Sequence, residues 1–130
     1  MKWIYDDGGR SRYFKGFAGD CAIRAVAIAS GEDYKKVYNE FKDLNDGKSC
    51  RDGTPPKVTK KYMKLHGWKW QATMGIGTGC RVHLKADELP GGVIIARVTG
   101  HIVCVKDGVI YDTHDCSRRE TRCVYGYWYK

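Results

Sequence analysis

The chain has 130 residues, 42% of them apolar and 12% aromatic, which is enough for one compact domain, 1–130, with its own hydrophobic core. No run approaches the roughly 18 apolar residues of a membrane span, and the opening "MKWIYDDGGR" lacks the order of a secretory signal, so no membrane association and a cytoplasmic location are expected. The formal net charge of +8 keeps polyanions in view. Nucleic acid nevertheless ranks below a protein or peptide partner, because the densest basic stretch reads as a solvated helix face.

Along the chain, "DDGGR" is a turn signal, and the aromatic and basic residues after it suggest a short strand or an extended lead-in. "GDCAIRAVAIASG" then opens a helix. Asp20 is placed to cap it with its carboxylate and Gly31 to close it, and between them the residues are apolar on nearly every side except at Arg24. Such a helix belongs in the interior. A second helix, Asp33 to Asn45, carries Tyr34, Val37, Tyr38, Phe41 and Leu44 at helical spacing and is peripheral.

The polar "DGKSCRDGTPPK" forms a surface loop ahead of a third helix, which Gly67 ends. Lys57, Lys60, Lys61 and Lys64 fall on one face of that helix and Val58, Tyr62 and Leu65 on the other. From "WKWQATM" onward the pattern changes to strands, continuing through "VIIARV", "HIVCVK", "VIYDT" and "RCVYGYWY". Helices first and strands last predict an α+β fold, with N-terminal helices packed on a C-terminal, mainly antiparallel β-sheet.

In "GHIVCVKDGVIYDTHD", Asp107-Gly108 is a two-residue hairpin signal that fixes a register. Lys106 pairs with Val109, Val105 with Ile110 and Cys104 with Tyr111, and continuing the ladder sets Val103 opposite Asp112 and His101 opposite His114. Partners share a face, so His101, Val103, Val105, Ile110, Asp112 and His114 project to one side, and Cys104 and Tyr111 to the other. Asp112 is then a diagonal neighbour of His101, at a backbone separation of about 7 Å that the two side chains can bridge. A carboxylate among valines and isoleucines needs such a partner.

The six cysteines show no close repeated spacing, and a reducing cytosol keeps thiols free, so a disulfide framework is not expected. Zinc is a rival, since Cys80 and His83 have C-x-x-H spacing and His101, Cys104, His114, Cys116 and Cys123 could complete a set. The hairpin opposes it by sending His101 and Cys104 to opposite faces, and no metal or other cofactor is expected.

Cys21 stands at the start of the buried helix, where free N–H groups and the macrodipole favour the thiolate. His101 supplies a proton acceptor and Asp112 a group to orient it, the general requirement for an activated nucleophile. This order and setting resemble the papain-like cysteine peptidase superfamily, and in size its compact members similar to bacteriocin leader peptidases. Nearer still, "YDDGGR", "GDCAIRAVAIASG", "GTGCRVHLKADELPGG", "DGVIYDTHDCSR" and "RCVYGYW" resemble short bacterial and bacteriophage proteins of unassigned activity.

The resemblance implies a papain-like fold and a cysteine hydrolase of peptidase, isopeptidase or amidase type. Cys21 would be its nucleophile, His101 its base and Asp112 the orienting acid; the resemblance implies no substrate, and the expected partner is a protein or peptide in the cytoplasm, a host protein if the chain is phage-encoded. Where such enzymes carry an oxyanion-stabilising glutamine this chain has Lys15. Lys15, Gly19, Asp20, Arg24 and His114 are therefore the candidates for the oxyanion and substrate side, with an ion pair to Asp20 or a loop acid as the structural reading of Arg24. The alternative is a non-catalytic interaction protein of the same fold that binds a host protein or nucleic acid through its basic surface.

Overall fold

A computed structural model describes residues 1–130. Three helices, α1 (Cys21–Ser30), α2 (Tyr34–Leu44) and α3 (Pro56–Leu65), precede most of the strands: β1 (Trp3–Tyr5), β2 (Lys69–Ala72), β3 (Val93–Val98), β4 (His101–Lys106), β5 (Val109–Asp112) and β6 (Val124–Tyr129). The strands form one six-stranded sheet in the order β1-β5-β4-β3-β6-β2. Only the β1–β5 pair is parallel. The architecture is α+β, as the order of patterns predicts.

The expected lead-in strand lies on the other side of its turn. Trp3–Tyr5 is the strand, and Arg10–Arg12 after "DDGGR" is a 3-10 turn. Asp6 and Asp7 account for this, because their carboxylates accept from the N–H groups of Gly8 and Gly9 and fold the chain tightly there. Gly8 then sits where a Cβ would come within 3.0 Å of the Arg24 carbonyl, so the turn packs directly on α1.

The two faces of the sheet are covered differently. On one, α1 packs on the strands, α2 on α1 and α3 on α2, and Ile23, Val26, Phe41 and Met63 form one cluster with Ile95, Cys104 and Trp128. On the other, Ile94, Val98, Val103, Val105 and Ile110 are covered by Leu84 and Cys116, which belong to connecting segments. α1 is buried from Ala22 to Ile28, as its all-round apolarity requires. In α3 the apolar face differs from expectation: Thr59 and Met63 are buried with Val58 and Tyr62, while Leu65, the last residue of the helix, is 66% exposed.

Asp107 and Gly108 both have positive φ, 48° and 78°, the backbone of a type I′ turn. The register follows for Lys106–Val109, Val105–Ile110 and Cys104–Tyr111, and the ladder stops there. The expected Val103–Asp112 and His101–His114 pairs do not form, because the Thr113 N–H that would continue the ladder donates to Asp112 Oδ1 and the Ile102 N–H turns to Cys21. The faces are as expected: Val103, Val105 and Ile110 share one cluster, and Cys104 and Tyr111 join the other.

The cysteines are not all free. Cys80 and Cys123 form a disulfide, with Cα atoms 5.8 Å apart. Their 43-residue separation hides the pair from any reading of local spacing. An isolated antiparallel bridge between His83 and Cys123 brings the "GIGTGC" loop against the start of β6 and makes the bond geometrically available. No helix is long and apolar enough to cross a membrane.

Candidate active site

The site forms where β4 and β5 part. α1 packs on the face of Ile102 and Cys104, whereas His101 and Asp112 belong by alternation to the opposite face. At the open end of the hairpin the sheet no longer separates them. Arg24 of α1 reaches Asp112 there at 3.6 Å, and the Cys21 thiol hydrogen-bonds the His101 ring.

A hydrogen bond of 2.6 Å joins His101 Nε2 and Asp112 Oδ2, leaving Nδ1 as the ring atom available to a thiol. Asp112 is fixed from several directions. The N–H of Thr113 donates to its Oδ1 at 2.7 Å, and its carbonyl accepts from the Asp6 N–H and the Trp3 indole. The N-terminal strand thus holds the acid in place.

Electrostatics follow from these contacts. Burial works against charge on His101, but hydrogen bonds with Asp112, Cys116 and Cys21 outweigh it and push the imidazole up to about 11. Burial likewise raises the Cys21 thiol, yet the His101 hydrogen bond and charge, the Ile102 N–H and Arg24 bring it below the ordinary value. Asp112 is drawn down in the same way, against its burial, by His101, Thr113 and Arg24. The pair Cys21 and His101 therefore favours thiolate and imidazolium. As the first residue of α1, Cys21 also has a backbone N–H without an intrahelical acceptor.

Cys116, which the sequence offers only as a possible zinc ligand, is a neighbour of His101, and nothing in "THDCSR" signals that contact. It is buried and does not line the cleft, whereas Cys21 is partly exposed and does. Access to substrate distinguishes the two thiols. The cleft measures about 630 Å³ and runs between the N-terminal turns of α1 and α3 and the β3–β4 turn, with Cys21, His101, Gly19, Phe17 and Trp128 among its walls.

Asp20 does not cap α1 with its side chain. It is fully buried behind the thiol, and its carboxylate takes Arg24 Nη1 at 2.8 Å, Arg10 Nε at 3.0 Å and the Tyr34 hydroxyl. Two buried guanidinium groups outcompete a helix's first-turn N–H groups for one carboxylate. That removes Asp20 from the substrate side. Arg24 is in the ion pair expected of its structural reading, and it extends to Asp112 as well.

Lys15 is exposed in a separate depression with Tyr5, Asp7 and Phe14, and it does not line the cleft. Gly19 does, packed so closely on the Asp52 backbone that a Cβ would lie 3.1 Å from it. His114 also lines the cleft, its ring centroid 5.3 Å from that of His101. His101, Asp112 and His114 place ligand atoms within 4.8 Å of one another and are the residues that could hold a metal ion. The Cys80–His83 pair does not join them, since Cys80 is in the disulfide and His83 bonds Glu88 at 3.1 Å.

No protein-family model, curated protein or solved structure matches this chain.

Proposed function

We propose that this chain is a papain-like thiol hydrolase acting on an amide or related acyl bond in a protein or peptide. The observation that carries this reading is the line Cys21–His101–Asp112 at a cleft open to solvent.

The Cys21 thiolate adds to the acyl carbon, and the carbonyl oxygen takes the negative charge beside the free N–H of Cys21. Collapse expels the amine, which leaves with the proton from His101. Water then gives a proton to His101 and adds to the thioester, and breakdown releases the acid and restores the thiolate and imidazolium. Asp112 holds the ring in the tautomer and orientation that both half-reactions need. Transfer to another amine, or deamidation of a side-chain amide, uses the same groups.

A peptidyl vinyl sulfone, followed by mapping of the adduct, tests the proposal. Modification at Cys21 that disappears in His101→Ala is expected. Labelling spread evenly over the accessible thiols removes the catalytic reading and favours the interaction protein, for which exposed Lys57, Lys60, Lys61 and Lys64 on α3 are the basic surface.

A further inference from the structure

Three arginine and lysine side chains line the cleft beside Cys21, and two of them are not neutralised. Arg24 is satisfied by Asp20 and Asp112. Asp52, the one acid on the cleft wall, lies 3.8 Å from Arg51. That leaves Arg97 and Lys60, which both line the cleft and form no ion pair.

Arg97 is the less ordinary of the two. A solvated lysine on a helix face needs no explanation, but a partly buried arginine in a strand usually has a carboxylate partner. Its cross-strand neighbours are Ile102 and Gly126, and neither can provide one. The register with β6 shifts between Arg97 and Val98, a bulge of the kind that re-aims a side chain at the rim of a sheet. Ile102, its partner, directs its own N–H to the Cys21 sulfur. Arg97 therefore lies one strand from the reactive thiol.

Across the cleft, Pro56 opens α3, whose N-terminal end is positive, and Lys60 follows one turn later. Thr59 belongs to the same wall. An uncharged substrate would leave both cations without a partner; a carboxylate would meet them.

We infer that Arg97 and Lys60 form an anion subsite that binds a carboxylate of the substrate, so that the bond presented to Cys21 lies close to an acidic residue. This names a substrate class for the proposed hydrolase and rests on that reading for the reaction, though binding at the subsite is independent of it. Arg97 provides the planar fork that matches a carboxylate, and Lys60 a mobile second charge.

Titration calorimetry on Cys21→Ala separates the two questions, because that variant cannot react and keeps the subsite. The probes are acetyl-Gly-Gly-Glu-Gly-Gly-amide and its Gln counterpart. The Glu peptide is expected to bind about tenfold tighter, the effect of one charge-assisted hydrogen bond, and the preference should shrink as salt rises. Adding Arg97→Met should abolish the preference, adding Arg97→Lys should restore part of it, and Lys60→Met, on an exposed position that does not endanger folding, should reduce it. Equal affinity for the two peptides, binding of neither, or a preference that survives Arg97→Met would overturn the subsite. An unreactive Cys21 in the wild type would overturn the hydrolase and leave the calorimetric result standing.

Discussion

Two sets of cations meet at this cleft, and they are built in opposite ways. Behind the thiol, Arg10 and Arg24 are buried and closed on Asp20, with Tyr34 completing the carboxylate's shell. In front of it, Arg97 and Lys60 face the cleft with no carboxylate of their own. A buried charge is tolerable only when paired, so the first set is bound to the folded structure. An accessible charge need not be, so the second is free to take a partner from outside. The same residue type is architecture in one place and a binding element in the other.

The largest effects should come from the thiol between the two sets. Cys21→Ala is expected to abolish turnover of any acyl substrate, and His101→Ala to lower kcat by about 10²–10⁴-fold, as measured by peptide cleavage. Opening the closed set should be nearly as damaging to the fold. Asp20→Asn leaves two guanidinium groups without their counter-charge and should cost about 3–5 kcal/mol in denaturant unfolding. Arg97→Met, by contrast, should change stability by no more than about 0.5 kcal/mol, since no internal partner is lost. Similar losses in the two variants would erase the distinction.

Much of this arrangement is legible in the sequence, and the parts that are not have a common cause. The buried helix, the Asp107-Gly108 turn and the sharing of a face by His101 and Asp112 depend on residues close along the chain, where periodicity and turn chemistry act. Asp20 was misread because a local rule, capping, competes with partners from elsewhere in the chain: Arg10 is ten residues earlier and Tyr34 fourteen later. Leu65, Cys116, Arg97 and the Cys80–Cys123 bond are decided by long-range packing in the same sense. The β4–β5 ladder shows both regimes. The turn sets its three pairs, and it ends where the Thr113 N–H turns to Asp112 Oδ1 and the Ile102 N–H to the distant Cys21 sulfur.

The smallest expected effect concerns the covalent link between the "GIGTGC" loop and the chain ahead of β6. Under denaturing, non-reducing conditions the chain should expose four titratable thiols, Cys21, Cys50, Cys104 and Cys116, and six after reduction. Six before reduction would return the "GIGTGC" loop to non-covalent attachment and leave the contrast between the two cation sets untouched.

The pairing of Cys21 with His101 is tested most directly by the pH dependence of iodoacetamide alkylation at Cys21, followed by peptide mapping in wild type and His101→Ala. With His101 raised to about 11 and the thiol lowered, the ion pair exists above the thiol's depressed value and below the imidazole's raised one. Wild-type Cys21 should therefore alkylate at pH values where an ordinary thiol is still protonated. Removing the imidazole leaves burial opposed only by the Ile102 N–H and Arg24, so the His101→Ala inflection should move up toward the ordinary thiol value. Superimposable profiles in the two proteins would contradict the account.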